Sequence, residues 1–394
     1  MKYCFDEKID RSKNHSAKWA ELGKKFGTDD LFPMWIADMD IKTAPEIVQA
    51  MKEKVEQEIF GYVYRPDSYY KSAAEWLERR FGYKISEKTL IHSPGVVPSL
   101  SILVKLMTNE DEKILIQTPV YYPFAETIKD NNRTLVTNEL VRDENGYYTM
   151  NFDDLEEKLS DEKVTLFILC SPHNPVGRVW KKEELEKVAE IAVKNNLIVV
   201  SDEIWADLIM PGYEHYMMGR LGGEIEERLI TCTAPSKTFN LAGLATSSII
   251  IKNKELREKY SEMLQVMRSA SVNILGFKAC EIAYNQAEKW LEELLVVLDT
   301  NQKAVKEFFE KKFPKIKVKL IEGTYLQWLD FRALGISDEE LERFMHMDAQ
   351  FFTDEGYIFG EEGSGYERIN LAAPTWVIER ELERLGKALE KIYK

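Results

Sequence analysis

Cysteine, histidine and uninterrupted apolar sequence are all scarce in this chain. Its 394 residues include four cysteines and five histidines. Cys4, Cys170, Cys232 and Cys280 lie far apart with no CxxC pair, which argues against a disulfide framework or a structural zinc site and fits a reducing cytoplasm. His15, His92, His173, His215 and His346 show no HExxH or other paired ligand spacing, so no metal centre is expected. Walker A and GxGxxG patterns are missing, which leaves nucleotide hydrolysis and a dinucleotide fingerprint unsupported. The longest apolar runs, such as LIVV at 197–200 and SSIII at 247–251, fall far short of the ~20 residues that cross a bilayer. The opening stretch MKYCFDEKIDRSKNHSAKW lacks the apolar core of a secretory signal, so neither export nor a membrane span is expected. Positive charge is also in deficit, with 53 Lys plus Arg against 67 Asp plus Glu and a net charge of −14. No basic field exists to attract nucleic acid or anionic lipid.

What is present is an ordinary globular composition, 44% hydrophobic and 30% charged, in a chain long enough for two or three folding units at roughly 150 residues each. From about Pro45 to Lys252, helical patterns alternate with short β-branched runs, the mark of an α/β domain with a mostly parallel sheet. Strands are expected at KILIQT (113–118), TLVTNE (134–139), VTLFILC (164–170), LIVVSD (197–202), RLITCT (228–233) and SSIIIK (247–252). Their apolar density suits a sheet covered on both faces. PEIVQAMKEKVEQEIF (45–60) reads as a helix opened by Pro45, and DSYYKSAAEWLERRF as one capped by Asp67 with Gly82 past its end. Leu185, Val188, Ile191 and Ala192 recur at helical spacing between two of the strands. After Lys254 a long helical region precedes strands at KVKLI, TYLQWLD and ERINLAA, with a helix near 337–348 and a last helix striped by Ile378, Leu382, Leu385, Leu389 and Ile392. The expectation is a large domain over 46–285 and a smaller α/β domain formed by 1–45 and 286–394.

Four polar groups fall just beyond predicted strands: Tyr121, Asn174, Asp202 and Lys237. Ligands of open α/β sheets bind at strand C-termini, so the four are expected to converge. Lys237, among small and aromatic neighbours, is placed to lose proton affinity by desolvation and act as a nucleophilic amine. Such an amine suits an aldehyde cofactor with a pyridine ring, whose nitrogen needs an anion such as Asp202 and whose hydroxyl needs a donor such as Asn174. Tyr121 could lie on the ring face. A phosphate would find backbone N–H groups where SPGVVPSL turns into a helix, at Gly95, Val96 and Val97, with the Ser236 hydroxyl beside the lysine. Arg368 could grip a carboxylate with both arms of its guanidinium. Taken singly, each has an ordinary explanation: a solvated lysine, an Asx turn at Asn174, an N-cap at Asp202, a core aromatic at Tyr121, a surface ion pair at Arg368.

Taken together, MWIADMD, FGYVYRPDSYY, SPGVVPSL, TPVYYPF, CSPHNPVGRVW, SDEIWADL, APSKTFNLAGL and RINLAAP resemble, in order and spacing, the fold-type I pyridoxal-phosphate (PLP) enzymes of the aminotransferase class I/II superfamily. Within it the chain looks most like the C–S lyases of the MalY/PatB-type cystathionine β-lyase group. The resemblance implies PLP as cofactor and roles position by position. Lys237 matches the lysine that bonds the coenzyme aldehyde, Asp202 the partner of the pyridine nitrogen, Asn174 the donor to the ring hydroxyl and Tyr121 the stacking aromatic. Gly95, Val96, Val97 and Ser236 match phosphate contacts, and Arg368 the ligand of the substrate α-carboxylate. Tyr62 matches a residue that reaches into the neighbouring subunit, implying a homodimer with shared active sites.

Three positions depart from the pattern. Trp205 stands where aminotransferases often carry Tyr and the C–S lyases usually His, and an indole can donate but cannot accept a proton. Ala245 replaces an Arg common in aminotransferases, as is typical of the lyases, and Ala373-Pro374-Thr375 replaces the usual Cys-Pro-Arg. The expected activity is cleavage of an L-cysteine-derived thioether to thiol, pyruvate and ammonia. Transamination between an L-amino acid and a 2-keto acid stands second, and a PLP-binding regulatory protein with little turnover third.

Overall fold

The computed structural model describes residues 1–11, 14–20, 22, 32–269 and 272–393. Within the stretch 1–45 assigned to the smaller domain, residues 12, 13, 21 and 23–31 lie outside the described residues. A seven-stranded sheet has the order Leu90–Ser93, Ser247–Ile251, Leu229–Thr233, Ile198–Asp202, Val164–Cys170, Lys113–Thr118, Thr134–Glu139. Only Ser247–Ile251 runs antiparallel to its neighbours. The six strands expected between Pro45 and Lys252 are all present within a residue of their expected bounds, while those expected at KVKLI, TYLQWLD and ERINLAA are Lys317–Val318, Leu326–Asp330 and Tyr366–Asn370. Leu90–Ser93 is additional, a run whose four residues are too few to show a period.

Both faces of this sheet are covered, which is why its strands read as continuous apolar runs. Along Val164–Cys170, Leu166 and Ile168 point into one buried cluster with Leu100, Leu103 and Ile116, while Phe167 and Leu169 point into another with Leu185, Val188 and Ile191. The helix Lys182–Lys194 supplies the second cluster and joins two adjacent parallel strands. A four-stranded antiparallel sheet follows, ordered Lys317–Val318, Leu326–Asp330, Tyr366–Asn370, Asp354–Glu355. The striped last helix, Thr375–Leu389, buries Ile378, Leu382, Leu385 and Leu389 in the same core as the helix Glu288–Lys312.

Helix ends correct two expectations. The helix opened by Pro45 is Pro45–Val55 and stops well before Phe60: Glu56 caps it with its N–H on the Lys52 carbonyl at 2.9 Å, and the chain turns off its axis at Glu58, φ 56°. In Asp67–Phe81 the capping position belongs to Pro66, and Asp67 is the first helical residue, where its charge faces the positive helix end. Gly82 closes that helix at φ 62° as expected.

The loop after Val164–Cys170 is tied to the smaller sheet at Gly177 and Arg178. Gly177 has φ 71°, and a Cβ there would fall 2.4 Å from Ile321 Cγ2, so only glycine fits. Its carbonyl accepts from the Glu322 N–H at 2.8 Å. The buried Arg178 guanidinium donates to Glu322 Oε2 at 3.0 Å, Glu184 Oε2 at 2.9 Å and the Tyr148 carbonyl at 2.7 Å. Arg178→Ala therefore leaves Glu322 buried without its cation, and it is expected to lower unfolding free energy by about 3 kcal/mol, read as a drop in denaturant midpoint at unchanged slope.

Candidate active site

The strands carrying the expected site residues end at one edge of the large sheet. Register places Cys170 opposite Asp202 and Asp202 opposite Cys232, so chain leaving these ends must converge. A cavity of about 200 Å³ opens there, lined by Gly95, Val96, Val97, Tyr121, Asn174, Asp202, Ser236 and Lys237 together with Ala37, Cys170, Trp205, Ala245 and Thr246. A larger cleft of about 580 Å³, bordered by Arg142, Tyr148, Lys306 and Trp328, contains none of the expected residues.

Asp202 closes the Ile198–Asp202 strand and is buried, with Oδ1 accepting from the Ile204 N–H at 3.1 Å. Burial pushes its pKa up to about 7, against the Ile204 hydrogen bond and the Lys237 charge. Among the described residues no cationic side chain forms an ion pair with it. Lys237 sits in the short helix Pro235–Thr238, with Nζ donating to the Ala37 carbonyl at 2.7 Å. Burial first, and the Arg368 charge second, pull its pKa down to about 8, while Asp38 and Asp202 oppose them. Burial moves both groups toward neutrality from opposite sides, the kind of perturbation that clusters at functional sites.

Gly95 precedes the helix Val96–Met107, whose start carries no side-chain cap. The N–H groups at that start are orphans that an anion can satisfy. Asn174 Oδ1 accepts from Arg368 Nη1 at 2.9 Å, which leaves the Nδ2 amide free to donate elsewhere. Arg368 lies on Tyr366–Asn370, behind Asn174 and outside the cavity lining, with Nη2 bonded to the Trp35 carbonyl at 3.1 Å and to Asp354. Its buried Nε has no hydrogen-bond partner among the described residues. Tyr62 is not brought to the cavity. It is fully exposed on the irregular stretch between the helices Pro45–Val55 and Asp67–Phe81.

This donor set suits PLP. A buried carboxylate without a cation answers a protonated ring nitrogen, uncapped helix N–H groups answer a phosphate, and a poorly protonated amine answers an aldehyde. Sequence reasoning missed the supports of the segment 36–41, which brings Ala37 to Lys237. Asn370 donates to the Ile36 and Asp38 carbonyls at 2.8 and 2.7 Å, and Asn240 donates to the Met39 and Ile41 carbonyls at 3.0 and 3.1 Å. Asn240 and Asn370 stand within the motifs already noted, APSKTFNLAGL and RINLAAP, and that adjacency was the available signal.

The sequence pattern of the family described as aminotransferase class I and II matches residues 34–385. Cystathionine β-lyase PatB of Bacillus subtilis is 39% identical over 386 residues, covering 98% of this chain and 99% of PatB. Cystalysin of Treponema denticola, whose crystal structure contains a pyridoxal 5'-phosphate cofactor, superposes with a TM-score of 0.97 at 44% identity, over 99% of this chain and 100% of that one. The PLP-bound C–S lyase of Staphylococcus hominis gives a TM-score of 0.92 at 32% identity, over 99% and 98%. The fold is thus the fold-type I arrangement that the resemblance implied. Since the matched span takes in both sheets and every element that supplies the cavity, the chain belongs to the aminotransferase class I and II family.

Proposed function

We propose that the chain is a PLP-dependent C–S β-lyase that cleaves an L-cysteine-derived thioether, with one water, to a thiol, pyruvate and ammonia. The observation that carries this reading is the likeness to PatB across 98% of the chain, with a half-buried amine and a buried carboxylate lining one cavity. When bound, PLP supplies an aldehyde for the substrate amine and an electron-withdrawing ring beside the substrate α-carbon.

The chain's own residues do the remaining work. Asp202 keeps a proton on the ring nitrogen, and the cation it gains there offsets the cost of its burial. Asn174 donates Nδ2 to the ring hydroxyl, held in that orientation by Arg368 on Oδ1. The helix start at Gly95, Val96 and Val97 and the Ser236 hydroxyl hold the phosphate, and Tyr121 covers the ring. Arg368 holds the substrate α-carboxylate by turning Nη2 from Asp354 and the Trp35 carbonyl toward the cavity, while Nη1 keeps Asn174. Lys237 anchors the cofactor at rest, takes the α-proton once released and can return it. We assign residues 46–285 to a larger domain carrying Lys237 and residues 1–45 with 286–394 to a smaller one carrying Arg368, so that the substrate lies between them.

We also propose a homodimer with shared sites, in the cytoplasm. Ile59, Phe60, Tyr62 and Tyr64 form an exposed apolar strip that a second copy would cover. The four cysteines are unpaired, three of them buried, in keeping with a reducing compartment.

Purified chain incubated with PLP and L-cystathionine is expected to release thiol and pyruvate in equal amounts with no added 2-keto acid, and borohydride is expected to fix the cofactor on Lys237. Product formation only with a 2-keto acid would assign transamination instead, and cofactor fixation without either product a regulatory protein.

Asp202→Asn separates cofactor binding from folding. Between about pH 4 and pH 7 the folded, cofactor-free chain holds a proton on Asp202 that the unfolded chain has lost, so ionising it costs stability as pH rises through that window. The variant escapes this cost, on the order of 4 kcal/mol at pH 8. It is expected to melt higher than the parent at pH 8 without cofactor, to match it near pH 4 and to retain PLP poorly. Tyr62→Ala is expected to lower lyase activity at least tenfold with the fold intact, and light scattering should find a dimer in the parent protein.

A further inference from the structure

The Ala37 carbonyl accepts two hydrogen bonds, from Lys237 Nζ at 2.7 Å and from Tyr325 Oη at 2.9 Å. A carbonyl oxygen has two lone pairs, so these donors fill it. Its position is fixed from both sides by Asn370, on Ile36 and Asp38, and by the Asn240 amide, which also accepts from the Met39 N–H at 3.0 Å. Tyr325 is equally fixed. It is fully buried, and its ring meets Trp205 edge-on, with centroids 4.8 Å apart and planes at 82°. The Lys237 amine lies 5.5 Å from the same indole.

We propose that Tyr325 is a positioning residue for Lys237, acting through the Ala37 carbonyl that the two side chains share. The inference rests on the reading of Lys237 as the cofactor-bonding and proton-transferring amine. It adds where that amine rests when free and what holds it there. With one N–H engaged on Ala37, the amine keeps its remaining valences for the cavity that it lines.

Tyr325 also affects the proton affinity of the amine. Its phenol draws on the oxygen that an ammonium would use, and its O–H dipole turns its positive end toward the same point. Both effects disfavour the charged amine, in the same direction as burial. The other groups acting on Lys237 are the charges of Arg368, Asp38 and Asp202. Tyr121 and Cys170, which line the same cavity, are held neutral by burial.

The test is trace acetylation of the full-length chain with acetic anhydride from pH 6 to pH 10, with label on Lys237 quantified by mass spectrometry against the exposed Lys84. Acetylation reports the neutral amine and requires no turnover. Tyr325→Phe removes one oxygen and is expected to raise the Lys237 labelling midpoint by roughly half to one pH unit. Site-specific 3-fluorotyrosine at position 325, a stronger donor of the same shape, is expected to lower it. If the phenylalanine variant does not fold, the direction of shift in the fluorotyrosine protein decides. Midpoints unchanged from the parent would overturn the proposal. Bound PLP should abolish Lys237 labelling in every form. Were Lys237 still labelled in the loaded protein, the functional reading itself would fall and this inference with it, a result distinct from any movement of midpoints.

Discussion

Keeping one amine out of water is the constraint around which the rest of the site is arranged. A lysine in solvent is almost wholly protonated at neutral pH and makes a poor nucleophile and a poor base. Lys237 escapes that state through burial, which outweighs the nearby carboxylates Asp38 and Asp202. The cost is borne by packing: the amine needs a polar resting place, and a backbone carbonyl supplies it without adding charge. Asp202 shows the opposite side of the same constraint, since the dryness that weakens the ammonium also strains an unpaired carboxylate.

That dryness depends on segments distant in sequence meeting at one sheet edge. The segment 36–41 is held at the cavity by Asn240 and Asn370 on its carbonyls, with Arg11, Lys18 and the Ala372 carbonyl bonding further backbone groups. A loop left without such partners would take water in with it. Arg178 and Glu322 do comparable work on the far side, where the Asn174 loop leans on the smaller sheet. Asn174 thus takes its orientation from Arg368 at one end and its loop from Gly177 and Arg178 at the other.

Much of this was legible in the sequence, for local reasons. Apolar runs such as VTLFILC stand out because both faces of their strand are buried, and polar residues at strand ends stand out against them. The helix carrying Leu185, Val188 and Ile191 announces itself by its period. LIHS does not read as a strand, since four residues carry too little pattern and its last two, His92 and Ser93, are polar. The limits of the Pro45–Val55 and Asp67–Phe81 helices depended on backbone angles at Glu58 and Pro66 that composition expresses weakly. Tyr325 and Ala37 meet across 288 residues of chain, and no spacing rule connects them. Only the assembled fold makes their shared oxygen visible.

The single antiparallel strand, Ser247–Ile251, pairs with Leu90–Ser93 on one side and Leu229–Thr233 on the other, and Ser247 Oγ donates to the Ser93 carbonyl at 2.9 Å. The loop that opens at Gly95 and the loop that holds Lys237 therefore spring from the two strands that flank this one, two strand spacings apart. The separation between the uncapped helix start at Gly95 and the Lys237 amine is set by sheet spacing, as on a fixed caliper. A molecule that is to meet both the helix start and the amine must carry its anionic and carbonyl ends at that separation.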